Sequence, residues 1–134
     1  MILLICFYLG VADALVVANI MIVATSVYLG MGYWVFEQML AYSLIIFLYF
    51  SLMRFKALGK LGGQIMISFF VGMFYGFLIS LFEVFLFRMG SFLAYYVQGV
   101  SFDVMHGIGN VIFMMLLKKP FEFFNRYFLR FKRK

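Results

Sequence analysis

Four long apolar segments constrain what this chain can fold into more than any other feature. They cover about residues 1–29, 33–53, 61–86 and 101–118, and each is close to the ~20 residues that a helix needs to cross a bilayer. The chain has 134 residues, of which 67% are hydrophobic and only 12% charged, which leaves little material for a soluble domain. The sequence therefore predicts a single all-α membrane domain, a polytopic bundle of about four transmembrane helices.

The basic residues indicate how this bundle is oriented. The net charge is +6, and ten of the eleven lysines and arginines lie in two zones, 54–60 and 118–134. Basic residues near the ends of spans favour the cytoplasmic side, so both zones are expected there. Two spans separate the zones, which also places the N-terminus in the cytoplasm. We therefore predict a multi-pass plasma-membrane protein with both termini cytoplasmic, and we expect no nucleic-acid partner, because the charge follows the topology.

The basic C-terminal end has the composition of an amphipathic helix. Pro120 is suited to the first turn of a helix, where its missing amide hydrogen is not needed. A tail helix over 120–134 is expected to lie on the inner leaflet and bind anionic membrane lipid; a docking helix for a cytoplasmic partner is the alternative. The apolar face would carry Phe121, Phe124, Phe128 and Phe131, with Arg126, Arg130 and Arg133 among the other positions.

The last span carries an unusual polar stripe. Asp103, His106 and Asn110 fall within a ~60° arc of a helix, so their side chains share one face. Ionisable residues are costly in lipid and usually face a bundle interior or a cavity. This stripe is therefore the first candidate for a functional site. A purely structural role, in which His106 bonds to Asp103 and locks two helices together, is the alternative.

The predicted topology places other polar residues at the same outer level. Gln38 lies near the start of the second span and Glu83 near the end of the third, while Trp34 borders them. Trp34 fits an interfacial aromatic belt equally well. Glu37 and Glu83 are expected close to water, where a charge is cheap. The candidate substrate-binding residues are Trp34, Gln38, Glu83, Asp103, His106 and Asn110.

Motifs for catalysis and metal binding are missing from the sequence. We find no glycine-rich phosphate loop, paired-cysteine site or His-Glu zinc motif. Asp103 and His106 could act as an acid-base pair, but no nucleophile with an oxyanion partner accompanies them. We therefore expect no enzymatic activity, no cofactor and no bound metal.

Small residues recur every four positions in two of the spans. Such stripes allow helix backbones to approach closely. Packing within this protein is the favoured interpretation, and docking onto another membrane subunit is the alternative. The stripes consist of Gly10, Ala14 and Ala18 in the first span, and of Ser68, Gly72, Gly76 and Ser80 in the third.

Two stretches resemble a known transporter family. GMGYWVFEQMLAY (30–42) resembles the segment Gly-x-Gly-Pro-Trp-Thr-Pro-x-Gln-Met-Leu-Ala of the substrate-binding S components of energy-coupling factor (ECF) vitamin transporters. VSFDVMHGIGNVIFMMLLKKPFEFFNRYFLRFKRK (100–134) resembles their last helix, in which Asp, His and Asn at this spacing precede Lys-Pro. The family prolines are replaced by Tyr33 and Phe36. S components have six spans, so the first two helices would be missing.

The resemblance implies an S component that captures a vitamin-like solute in an outward-facing pocket. Its partners would be a transmembrane coupling subunit and cytoplasmic ATPase subunits, and uptake would involve reorientation of the binding subunit. Cobalamin, other B vitamins and their precursors all remain open as ligands. A non-transporting membrane scaffold and an inactive fragment of an S component are the alternatives. A scaffold would satisfy the polar stripe with neighbouring helices, whereas a binding protein would leave it lining a cavity.

Overall fold

The fold, taken from a computed structural model that describes residues 1–56, 58–86, 88 and 90–132, is helical. Within this described part there is no strand, which confirms the predicted all-α class. Four helices are long and apolar enough to cross a membrane, by length and composition. The helices are α1 (Ile2–Tyr8), α2 (Val11–Leu29), α3 (Trp34–Leu52), α4 (Leu61–Phe85) and α5 (Phe92–Lys132).

The first predicted span, residues 1–29, is divided into two helices. Gly10 separates α1 from α2 and has a φ of +118°, a backbone conformation that glycine adopts readily and other residues rarely. α1 is only seven residues long, and α2 is the part that can span. Because the sequence is apolar on both sides of Gly10, hydropathy could not reveal the break. Gly10 forms a corner and has no neighbour within 4 Å of where a Cβ would lie.

α1 packs into the bundle and forms part of its core. Leu4 and Cys6 are buried, together with Ala14 and Ala18 on α2. The small side chains of the two alanines are suited to close packing between helices. The α1–α2 corner also contacts α5, where Tyr8 Oη donates a hydrogen bond of 3.2 Å to Glu122. The N-terminal segment is therefore an internal element of the fold.

α4 and α5 form a close antiparallel seam. A Cβ on Gly72 would lie 2.5–2.6 Å from the Cα and N of Gly107, and a Cβ on Gly76 would overlap the Asp103 carboxylate. The Gly107 Cβ position is in turn 2.9 Å from Phe69. The glycines thus remove the side chains that would hold the two backbones apart. Gly72 and Gly76 face inward, toward α5.

α5 is much longer than the predicted last span. Its 41 residues correspond to about 60 Å at 1.5 Å per residue, whereas the hydrocarbon core of a bilayer is ~30 Å thick. Residues 92–100, predicted as a linker, form its first turns. A separate tail helix beginning at Pro120 is not confirmed, because α5 continues through that proline. The side chains of residues 128–132, and all of residues 133–134, lie outside the described part, so the predicted roles of Phe128, Arg130, Phe131 and Arg133 stay predictions.

Candidate solute-binding site

A half-open cavity of about 310 Å³ lies between the helices, and all five of them contribute to its wall. Along α5 its lining begins at His106, three residues or about 4.5 Å after Asp103, and ends at Leu117. Its volume is at the lower end of the ~300–1,000 Å³ found for small-molecule sites. The wall includes Ile2 of α1, Met21 of α2, Tyr42 of α3, Tyr75 of α4, and His106 and Asn110 of α5.

Three rings from three helices form one wall of this cavity. The ring centroids of Tyr42 and Tyr75 are 5.2 Å apart, and those of Tyr75 and His106 are also 5.2 Å apart. These separations lie within the range of favourable aromatic contacts. Phe102, on the preceding turn of α5, makes a T-shaped contact with His106 at a centroid distance of 6.4 Å. The imidazole is therefore held between aromatic neighbours and faces the cavity.

The polar atoms of this wall have unused hydrogen-bonding capacity. Within the described part of the chain, no residue forms a hydrogen bond with the side chains of Tyr42, Tyr75, His106 or Asn110. Polar groups inside a protein are normally paired with protein or with water. This wall can therefore offer hydroxyl, imidazole and amide groups to a bound molecule.

Asp103 belongs to the helix seam and not to the cavity wall. Its side chain is 4% exposed and is enclosed against Gly76. Oδ2 has no hydrogen-bond partner among the described residues. The carboxyl group lies one turn before His106, close enough for their charges to interact. Asp103 is thus a neighbour of the cavity that can influence the imidazole, but it does not line the space itself.

Two glutamates are buried at the predicted outer end of the bundle. Glu37 is 2% exposed and Glu83 is 6% exposed, so the expectation that water solvates them is wrong. Tyr33 Oη donates a long hydrogen bond of 3.5 Å to Glu83 Oε1. Desolvation, followed by the nearby charges of Glu83 and Glu37, raises the pKa of Tyr33. The hydroxyl therefore keeps its proton and remains a donor at neutral pH.

The other two predicted binding residues lie elsewhere. Trp34 is 40% exposed, and its indole covers Gly32, where a Cβ would collide with the ring. Gln38 is partly buried on the next turn of α3 and is not among the cavity-lining residues. Of the six predicted residues, the structure brings only His106 and Asn110 into this cavity.

Tyr42 and Tyr75 are wall residues that the sequence analysis missed. Both lie near the middle of long apolar helices, whereas membrane tyrosines are usually enriched near the interface. That mid-span position was the available signal. Within the described residues, no group of three His, Cys, Asp or Glu side chains is placed to hold a metal ion. The chemistry that this wall offers is ring stacking and hydrogen bonding.

Comparisons with protein-family models, with curated proteins and with solved structures find no match for the chain.

Proposed function

We propose that this protein is a membrane-embedded binding subunit that captures a small, vitamin-like solute, in the manner of an ECF S component. The observation that carries this proposal is the placement of His106 and Asn110 on the wall of a 310 Å³ cavity, where no described side chain satisfies them. A scaffold would pair these groups with neighbouring helices, because unpaired polar groups destabilise a membrane fold. The cavity therefore favours binding over scaffolding.

The proposal extends to orientation and partners. The chain would lie in the plasma membrane with its C-terminus in the cytoplasm, where the basic end of α5 would bind anionic lipid at the inner leaflet. Met1 lines the cavity between the helices, so the expected cytoplasmic position of the N-terminus does not fit this fold. An ATP-binding motif is missing from the sequence, so energy for uptake would come from a coupling subunit and ATPase subunits. Gly72 and Gly76 are occupied by α5, so a coupling subunit would dock on another face.

The experiment is to identify small molecules that co-purify with the protein from its host membranes. We expect a solute to be retained by the wild type and lost from a His106→Ala, Asn110→Ala double variant. Asn19→Ala is the matched control, because Asn19 bonds to its own helix at Leu15 O and lies outside the cavity lining. The same solute profile in all three proteins, or no solute in any of them, would overturn the proposal.

A further inference from the structure

Glu37 of α3 and Glu83 of α4 are buried at the predicted outer end of the bundle, and neither lines the cavity. We infer that this pair is a proton-binding site: near neutral pH it holds one proton, on Glu37, and release of that proton to water separates the outer ends of α3 and α4. The inference is independent of solute binding and concerns residues that the cavity wall does not use.

Both carboxyl groups are shielded from water and lack a counter-charge. Glu37 is 2% exposed and Glu83 is 6% exposed. Neither oxygen of Glu37, and only one oxygen of Glu83, has a hydrogen-bond partner among the described residues. A carboxylate buried without pairing is so costly that the group normally takes up a proton instead. The burial therefore calls for a proton on at least one of the two side chains.

The helices that carry the pair provide no positive charge. α3 and α4 contain no Lys, Arg or His, and Arg88, the only Lys or Arg between positions 61 and 117, is exposed. On α2 the ionisable side chains are Asp13, at the opposite end, and the exposed Tyr28. Three tyrosines lie close enough to interact with the carboxylate charges, and their hydroxyls keep their protons near neutral pH; they are Tyr33, Tyr75 and Tyr95.

α5 and the N-terminus do not neutralise the pair either. The lysines and arginines of α5 begin at Lys118, about 22 Å along the helix from the buried Asp103. His106, the only histidine, interacts with Asp103. Met1 lines the cavity, and burial alone lowers the pKa of its amino group, so no carboxylate is close to it. A proton is thus the available counter-charge.

Tyr33 determines which carboxyl group holds the proton. Its Oη donates a hydrogen bond of 3.5 Å to Glu83 Oε1, and a hydrogen bond donated to a carboxylate favours the ionised form. Glu37 receives no such bond from the described residues. The two groups are also close enough for their charges to interact, so ionisation of one disfavours ionisation of the other. Glu83 therefore keeps the charge and Glu37 keeps the proton.

Loss of this proton places two like charges between α3 and α4, where the low dielectric strengthens their repulsion. The chain connects the two helices at their other ends, from Leu52 to Leu61, so the ends that carry the glutamates can separate. The cavity residues Tyr42 and Tyr75 lie about 7 Å and 12 Å deeper along their helices. Proton release therefore opens the bundle above the cavity.

The first test follows the proton by infrared difference spectroscopy on the full chain in lipid nanodiscs, between about pH 6 and about pH 9, a range in which exposed carboxyl groups stay ionised. A protonated carboxyl group has a C=O band that a carboxylate lacks. We expect the wild type to lose such a band as the pH rises. The Glu37→Gln variant should show no such loss, while Asp13→Asn, at an exposed site, should behave as the wild type does.

The second test follows the separation of the helices. Trp34 is the only tryptophan in the chain and lies one turn before Glu37 on α3. Quenching of its fluorescence by acrylamide, an uncharged quencher, should increase over the same pH range in the wild type and in Asp13→Asn. In Glu37→Gln, which carries no charge at this position at any pH, quenching should stay constant.

Each contrary result overturns a stated part of the inference. The same infrared difference spectrum in wild type and Glu37→Gln would refute the proton site. A band that disappears in Glu83→Gln but persists in Glu37→Gln would refute the assignment of the proton to Glu37. Equal pH dependence of Trp34 quenching in wild type and Glu37→Gln, or none in either, would refute the separation of the helices. Solute co-purification at a single pH tests the proposed function separately.

Discussion

The seam between α4 and α5 can be tested with a single methyl group. In Gly72→Ala, the added Cβ would lie 2.5 Å from the Gly107 Cα, 2.6 Å from its N and 3.0 Å from the His106 carbonyl carbon. All three atoms are backbone, so no side chain can rotate away. Ordinary contact between carbon atoms begins near ~3.5 Å. The two helices must therefore separate by about 1 Å at this point.

The expected cost follows from two opposing effects. Replacing glycine by alanine inside a helix normally stabilises it by about 0.5–1 kcal/mol. Overpacking of a tight contact costs about 1–3 kcal/mol. Gly109→Ala on α5 isolates the first effect, since nothing lies within 4 Å of its Cβ position. Relative to Gly109→Ala, Gly72→Ala should be less stable by about 1–3 kcal/mol, which is the overpacking cost alone.

Cys6 supplies the assay. It is the only cysteine in the chain and is 3% exposed, so a thiol-reactive fluorescent dye labels it only when the bundle opens. Thermal unfolding followed by this labelling should give a lower midpoint for Gly72→Ala than for wild type, by about 3–5 °C for each kcal/mol in a chain of this length. Gly109→Ala should match or exceed the wild type. A Gly72→Ala protein as stable as Gly109→Ala would refute the close approach of the two helices.

Two further predictions concern the backbone and the buried charge. Gly10→Ala should destabilise the protein by about 1–3 kcal/mol in the same assay, because alanine is strained at a φ of +118°. Gly62→Ala is the control, since open space surrounds Gly62. Equal stability of the two variants would contradict the backbone conformation at Gly10. Above the pH at which Glu37 releases its proton, Glu37→Gln should stabilise the fold by about 1–3 kcal/mol, because it removes a buried charge whose two oxygens lack partners among the described residues. Asp13→Asn is the control at an exposed site and should change stability by less than about 0.5 kcal/mol. A loss of stability in Glu37→Gln would contradict this prediction, because it would show that the carboxylate has a partner.

Sequence patterns predicted the helical class because apolar length is a direct consequence of bilayer thickness. They failed where the chain changes direction without a change in hydropathy. Gly10 interrupts an apolar run without a polar residue, so the corner between α1 and α2 was invisible. Pro120 led to the prediction of a helix start, because proline is a good first residue of a helix. In the structure α5 begins earlier and continues through Pro120.

The polar stripe of α5 shows why helical periodicity alone could not define the site. Periodicity placed Asp103, His106 and Asn110 on one face, but α4 decides what each of them meets. Opposite Asp103 stands Gly76, and the backbones approach so closely that the carboxylate is enclosed. Beside His106 stands Tyr75, whose ring contacts the imidazole and lines the cavity with it, although the two backbones stay close at Gly72. The stripe thus meets two environments on α4: Gly76 encloses the carboxylate, and Tyr75 lines the cavity beside His106. A tyrosine one turn from a packing glycine, in the middle of an apolar span, is the pattern that would have located this cavity from sequence.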